Sequence, residues 1–510
     1  MDKVDRVAAL ASPAVGALLT AGAHLGRIVF SSVVIALTII VISVVYNLFF
    51  HPLRQYPGPL FARASGLWGF YLNLQGRRAH EIVKAHQRYG RVVRVAPNLL
   101  SFSSPEAVRE IYMNPKFTKA SRFYIAKHIF NEDMLLTFRD PHRHRQRRKL
   151  LSRGFSQAAL VEFEPHITEK IGLLLDHWAR LSKETDKPID VYPWAHMLGF
   201  DIIYHLMFGI DPESVKTGKE SKVMPWLRAW RPTFNYKEMV PPLERYGPYI
   251  PGRVGRYFRL VRQWKDYAMN IVRDCRESGT KTPFLSRVLG GVDESLGRPL
   301  TDSELAEECM GGMFGGSGTT ANTFVYALWG VLSNPSIAER LRAEIDEAFP
   351  HLNEVPDSIT CAQLPFLNAV LSETLRRYPT ITGLLPREAQ EDTIVDGMQV
   401  PKGANVATGN LTVHLDKTAF PDPLSFNPDR WLSADGAPHH ALVPFSVGPR
   451  KCIGMNLAEL ELRVWIAAFF KRFNAKLNES MTDEDMDIYD SFSASPRGGR
   501  LLVWLEERQR

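Results

Sequence analysis

Between Phe445 and Gly454 the chain reads Phe-Ser-Val-Gly-Pro-Arg-Lys-Cys-Ile-Gly, one thiol flanked by glycines and cations. An ordinary thiol is mostly protonated at neutral pH, whereas a helix N-terminus, nearby positive charge or a metal each favours the thiolate. All three can act on Cys452. Just downstream Leu457, Leu460, Val464 and Ala468 recur at helical spacing, with Glu459, Glu461 and Arg463 on the other face. The spacing predicts a loop-to-helix junction at the cysteine. Gly448 and Gly454 are expected to take backbone angles closed to other residues, folding the loop tightly under a flat cofactor with N–H groups toward sulfur. Arg450 can reach an acidic edge of that cofactor. An isolated cysteine without such neighbours reads instead as a small core hydrophobe.

Four other segments carry chemistry. Arg139 to Arg153 is densely basic; His144 and Arg148, four apart, share a helix face and can reach one anionic group, while Leu150, Leu151 and Phe155 form the buried side. The remaining cations are expected to point outward. Residues 304–333 read as a long buried helix despite five glycines between Gly311 and Gly318, each costing about 1 kcal/mol of helix stability. Close approach of a flat ligand would justify them. Glu373 and Arg376 stand three apart on one helix face, within salt-bridge reach, and Arg430 follows in Phe-Asn-Pro-Asp-Arg-Trp. Residues 225–251 are rich in Trp, Tyr, Phe and Pro and cannot be one helix; they read as a buried aromatic cluster or as a mobile cover touching a membrane interface.

These motifs, in this order, resemble the cytochrome P-450 superfamily, whose haem signature Phe-x-x-Gly-x-Arg-x-Cys-x-Gly is matched at every fixed position from Phe445 to Gly454. The resemblance spans residues 51–510. It implies a mainly α-helical fold with small β-sheets, haem b held non-covalently with Cys452 as axial iron ligand, and Arg450 paired with a haem propionate. It also implies propionate contacts from Arg148, from His144 in place of the commoner Trp, and from Arg387. Gly315-Gly316-Ser317-Gly318-Thr319-Thr320 resembles the oxygen-binding groove, with Thr319 hydrogen-bonding dioxygen and ordering the water that delivers protons. Thr320 is its neighbour in that role. The departure is Gly318, where the family usually has an acid. By the same resemblance Glu373, Arg376 and Arg430 lock the thiolate loop and are structural, while Gly315, Gly316, Thr382, Leu384 and Phe492 line the substrate pocket.

The elements that must position these groups need a large core, and 510 residues with 45% apolar and 23% charged content supply one. Cys275, Cys309, Cys361 and Cys452 are scattered, with no Cys-x-x-Cys pair, which argues against structural zinc and covalent c-type haem and suits a reducing compartment. Ile28 to Phe50 is 23 residues without a charge, long enough to cross a bilayer, so a retained anchor is expected over a cleaved signal peptide. Residues 7–25 are also apolar, but Pro13 and several glycines weaken them as a second span. Lys3, Arg6 and Arg27 precede the apolar stretch and Arg54 and Arg63 follow it, leaving orientation open. Tyr56-Pro57-Gly58-Pro59 makes a stiff turn after it. The expected organisation is an N-terminal segment (1–27), a transmembrane anchor (28–50), a proline-rich hinge (51–60) and a catalytic domain (61–510).

The resemblance therefore implies a haem-thiolate monooxygenase that oxidises a small lipophilic substrate, like filamentous-fungal members acting in secondary metabolism. It implies electrons from NADPH through a separate cytochrome P-450 reductase, with cytochrome b5 as a further donor, and a single-pass anchor in the endoplasmic reticulum with the enzyme in the cytosol. The net charge of +7 suits an acidic redox partner or anionic lipid alike; no nucleic-acid partner is expected. Two alternatives stay open. One is a haem-thiolate enzyme that is peroxide-driven or that desaturates, rearranges or ring-expands its substrate; the other is a non-catalytic haem sensor or carrier.

Overall fold

The computed structural model describes residues 4–130, 132–279, 284–351, 355–433 and 438–509, with side chains for all of these except 4–23, 25 and 286. Lys3 lies outside the described residues, and so does the side chain of Arg6. The N-terminal helix α1 (Val4–Val45) passes directly into a wider turn over Tyr46–Phe50. Residues 7–25 thus extend the same helix rather than form a separate span: Pro13 removes one hydrogen bond of many, and the apolar stretch continues past it. Gly26–Phe50 is a 25-residue span whose most apolar 18-residue window has a mean hydropathy of 2.9 and is not buried. The turn after it is tied down at Gly58, where a Cβ would lie 2.3 Å from the Arg94 carbonyl oxygen.

The helices that matter for function are α2 (Pro141–Leu151), α3 (Gln157–Glu184), α4 (Val191–Phe208), α5 (Met224–Met239), α6 (Gly252–Ser278), α7 (Asp302–Leu332), α8 (Pro365–Arg377) and α9 (Met455–Arg472). Asp140 caps α2, accepting the backbone N–H of His142 and Arg143. Thr301 and Glu304 close a capping box on α7. That box fixes where the long central helix starts. From Leu305 to Val331 most of α7 is buried, and it crosses α4 so closely that a Cβ on Gly199 would meet the Ser317 carbonyl at 2.7 Å. Two turns further along, Phe324 stacks on Trp465 of α9, ring centroids 3.6 Å apart. α7 is thus the axis of the helical core.

A five-stranded sheet stands beside this core, built from β1 (Val92–Ala96), β2 (Leu99–Phe102), β3 (Phe117–Lys119), β4 (Arg387–Ala389) and β5 (Asn405–Thr408) in the order β1-β2-β5-β4-β3. Its register pairs Lys119 with Arg387 across β3 and β4. The hairpin β6 (Ile488–Ser491) and β7 (Ser493–Pro496) turns at Phe492, whose φ of 73° is unusual for a residue with a side chain. Residues 225–251 split as their prolines require: α5 carries Trp230 and Phe234 inward, while Tyr246 and Tyr249, in the short turns after it, are exposed.

Two sequence expectations fail here. Arg147, grouped with the outward cations, is buried between Asp293 and Glu308, at 2.7 and 2.6 Å. Glu461 is buried in α9 rather than on a polar face, and burial pushes its carboxyl up to about 8.

Candidate active site

The loop from Phe445 to Gly454 closes on itself through the Cys452 N–H, which donates to the Phe445 carbonyl at 2.9 Å, with the Lys451 N–H donating to the Gly448 carbonyl at 3.1 Å inside it. Gly448 has φ 73°, and a Cβ there would lie 2.7 Å from the Tyr112 carbonyl, so glycine is required twice over. Gly454 is different. Its φ of −87° suits any residue, and the nearest atom to a Cβ would be 3.9 Å away; the expected special angle is absent because Gly454 already caps α9. Ser446, with φ 61°, takes the second left-handed position of the loop.

Cys452 stands three residues before α9, as the junction predicts, and its side chain keeps accessible surface. Burial pushes the thiol up, and the Gly454 N–H and the Arg148 guanidinium pull only partly the other way. The helix start and the nearby charge thus act in the expected direction, and burial outweighs them. A bound metal must supply the difference.

Next to the cysteine loop lies a cavity of about 380 Å³ lined by Lys119, His144, Arg148, Arg387 and Arg450, with no carboxylate among its lining residues. Arg148 comes from α2 and donates to the Lys451 carbonyl at 2.7 Å. Arg450 is held by the carbonyls of Phe138 and Arg139, and Arg387 by the Tyr124 hydroxyl at 2.7 Å. Burial and the neighbouring Arg387 lower Arg450 to about 10. Burial, then Arg387 and Arg450, push Lys119 well below its ordinary value. His144 is held down at about 2 by burial and by Arg450, Lys119 and Arg148, so it is neutral at pH 7 and contributes an N–H rather than a charge. Cations crowded in this way are relieved by an anion with more than one carboxylate. Lys119 belongs to this set and was missed because β3 carries no motif; only the Lys119 to Arg387 register reveals it.

The glycines of α7 serve two purposes. A Cβ on Gly311, Gly312 or Gly316 would come within 2.6, 2.8 and 2.6 Å of Met134, Met207 and Ile203 respectively. Those three allow close packing, and Gly316 turns its Cβ position toward Ile203 of α4. Gly315 has no atom within 4 Å of its Cβ position, and Gly318 only His196 Cε1 at 3.9 Å. The Thr319 hydroxyl donates to the Gly315 carbonyl, and Thr320 is buried in the helix. One bare patch remains on α7, bounded by Thr319.

Phe492 packs its ring against Phe123, Phe234 and Phe314, with centroids 6.3, 5.3 and 6.0 Å away. The Lys127 ammonium sits 3.5 Å from the Phe123 centroid, a buried cation no sequence pattern marks. Thr382 and Leu384 are buried just before β4. Behind the cysteine loop, Glu373 takes two bonds from Arg376 (2.9 and 2.7 Å), one from Arg430 (3.1 Å) and one from the Trp431 indole (3.0 Å). Glu373, Arg376 and Arg430 meet as expected, and Trp431 joins them.

A family model for cytochrome P450 matches residues 59–503. Among curated relatives, the cytochrome P450 monooxygenase tazI of Aspergillus terreus is 31% identical over 92% of this chain and 98% of its own length. The trichothecene C-15 hydroxylase of Fusarium sporotrichioides is 30% identical over 90% and 95%, and the benzoate 4-monooxygenase bphA of Aspergillus niger 30% over 90% and 93%. A cysteine loop beside a cation-lined cavity agrees with the haem signature of that family, and the chain belongs to the cytochrome P450 monooxygenases.

Proposed function

We propose that the protein is a membrane-anchored haem-thiolate monooxygenase that oxidises a small lipophilic metabolite with electrons delivered from NADPH by a separate reductase. The observation that carries this reading is the opening of Cys452 beside a cavity lined by Lys119, Arg148, Arg387 and Arg450. These residues fit haem b: one soft ligand for iron, and cations with the His144 N–H for two propionates. When bound, the group supplies a thiolate-ligated iron at which dioxygen is activated toward C–H bonds.

The chain's own residues would do the rest. Cys452 ligates, with the Gly454 N–H and Arg148 stabilising charge on sulfur. Gly315 lets a flat ring lie near the helix backbone, and Thr319 holds a proton at its hydroxyl, anchored to the Gly315 carbonyl. Phe123, Phe234, Phe314 and Phe492 exclude water and favour an apolar substrate. Glu373, Arg376 and Arg430 brace the cysteine loop without touching substrate.

Residues 28–50 act as the anchor and 61–510 as the catalytic domain in this reading, joined by the hinge at 51–60. Exposed Phe61, Leu67 and Tyr71 would rest on the bilayer surface near the anchor, and in this reading the membrane is the endoplasmic reticulum with the enzyme on its cytosolic side. Exposed Arg145 and Lys451 would meet an acidic electron donor. The fungal relatives named for monooxygenation support a secondary-metabolite substrate. The open position at Gly318 supports the second reading, an outcome other than hydroxylation, because no carboxylate stands there to pass protons.

Expression with a reductase, followed by mass analysis of candidate metabolites, tests the activity. A gain of one oxygen atom that requires NADPH and reductase is the expected result. The reduced protein with carbon monoxide should show the red-shifted Soret band of a thiolate haem, lost in Cys452→Ser; an unchanged band in that variant rejects Cys452 as ligand.

A further inference from the structure

A second cavity, about 320 Å³, lies between α4, α5, α7 and β7, and Tyr192, His196, Arg231, Ser317, Gly318 and Ser495 all face it. Its charges are accounted for except one. Arg228 and Glu220 pair with each other. Asp190 accepts the backbone N–H of Tyr192 at 3.1 Å and of Leu501 at 3.0 Å. His196 meets the Asn322 side-chain oxygen at 3.2 Å, and burial holds it down at about 4, so it is neutral at pH 7. Asp490, on β6 of the hairpin, takes the Ala79 N–H at 3.1 Å and acts on Arg231 from beyond ion-pair distance.

Arg231 is the exception. Its Nη1 donates to the Ser493 carbonyl and hydroxyl, both at 3.2 Å, and no described carboxylate lies within salt-bridge distance. Its Nε and Nη2 carry no hydrogen bond among the described residues. Three fully buried guanidinium groups in this chain hold acids or carbonyls: Arg147 holds Asp293 and Glu308, Arg376 holds Glu373, and all three Arg94 nitrogens reach carbonyls. An arginine oriented by Ser493 and left with one free edge beside a cavity is a receptor for a planar anion.

We propose that this cavity binds a small organic carboxylate, whose two oxygens take the free Nε and Nη2 edge of Arg231. Gly318 forms part of the wall, and Gly315, one turn back, is also bare, so α7 puts no side chain at either position between the bound acid and Thr319. That the acid is also the molecule oxidised rests on the monooxygenase reading above; that the cavity takes a carboxylate does not.

The test is calorimetric titration of the haem-loaded full-length protein with phenylacetate and hexanoate against phenylacetamide and hexanamide, their neutral counterparts. The expected result is a preference for each acid of about tenfold, removed by Arg231→Gln and partly kept by Arg231→Lys. A preference below about threefold, or one that survives in Arg231→Gln, overturns the proposal. Gly318→Leu fills the cavity from α7 and should weaken the acids at least tenfold, about 1.4 kcal/mol. If the Gln variant does not fold, wild-type acid affinity in Gly318→Leu overturns the proposal by itself. The carbon monoxide band separates the two claims: acid preference without a thiolate Soret band sinks the monooxygenase reading alone, and a normal band without acid preference sinks only the cavity assignment.

Discussion

Arg148 on α2 donates to the carbonyl of Lys451 at 2.7 Å, so the helix that brings cations to the cavity also holds the peptide next to Cys452. Two functions meet in one side chain: its positive charge faces the cavity and its donor fixes the loop. Arg148→Ala should lose both, and we expect haem content after purification to fall several-fold. Arg148→Lys should restore part of the charge effect but not the loop contact, because an ammonium lacks the planar fork. The ratio of Soret to protein absorbance checks this.

Glu373 is fully buried and balances Arg376 and Arg430 while also accepting the Trp431 indole. Removing its charge leaves two guanidinium groups without their shared partner. Glu373→Gln should destabilise by about 3–5 kcal/mol, the range seen when one member of a buried pair is lost. Arg430→Gln should cost less, since Arg376 still satisfies the carboxylate. Urea denaturation of the two variants gives the comparison.

The two glycines that frame Cys452 should behave differently. Gly448→Ala meets both a left-handed backbone and the Tyr112 carbonyl at 2.7 Å, and should cost about 1–3 kcal/mol. Gly454→Ala has ordinary angles and open space, and should change stability by about 0.5 kcal/mol or less. Equal losses in thermal melts would contradict the loop geometry.

Gly318→Asp should fold, because a Cβ there meets only His196 Cε1 at 3.9 Å. It should also change the fraction of NADPH consumption that yields product. Unchanged coupling and an unchanged product spectrum would make the absent acid irrelevant to this enzyme.

His414 is fully buried and its Nε2 accepts the Val443 N–H at 3.0 Å, which requires the neutral ring. Burial, then the Arg376 charge, hold it down at about 3. The folded state therefore resists a proton that the unfolded chain takes up near pH 6.5. Stability from this group is complete above that value and is lost as pH falls, by about 2 kcal/mol between pH 6.5 and 5. His414→Gln should flatten this part of the profile, measured by urea midpoints at pH 7, 6 and 5.

How far residues alone reach is visible in particular places. The cysteine junction, the pairing of His144 with Arg148 and the meeting of Glu373 with Arg376 depend on spacing along one helix or loop, and spacing is written in the chain. The same holds for the 25-residue apolar span, whose character is local. Arg147 could not be read that way. Its inward turn is caused by Asp293 and Glu308, more than 140 positions away, and helical period says nothing about which acids will arrive.

The glycines of α7 show the same division most clearly. Sequence determined that the helix would be thinned over Gly311 to Gly318, but a missing side chain is equally suited to a close helix crossing and to an open groove. Only the crossing with α4 decided between them, assigning Gly316 to Ile203 and leaving Gly315 and Gly318 bare. Lys119, Arg231 and His196 became candidates for the same reason: each lies in a segment without a motif. What makes them matter is the set of neighbours brought from elsewhere in the chain, because burial and unpaired charge are properties of packing rather than of residue type.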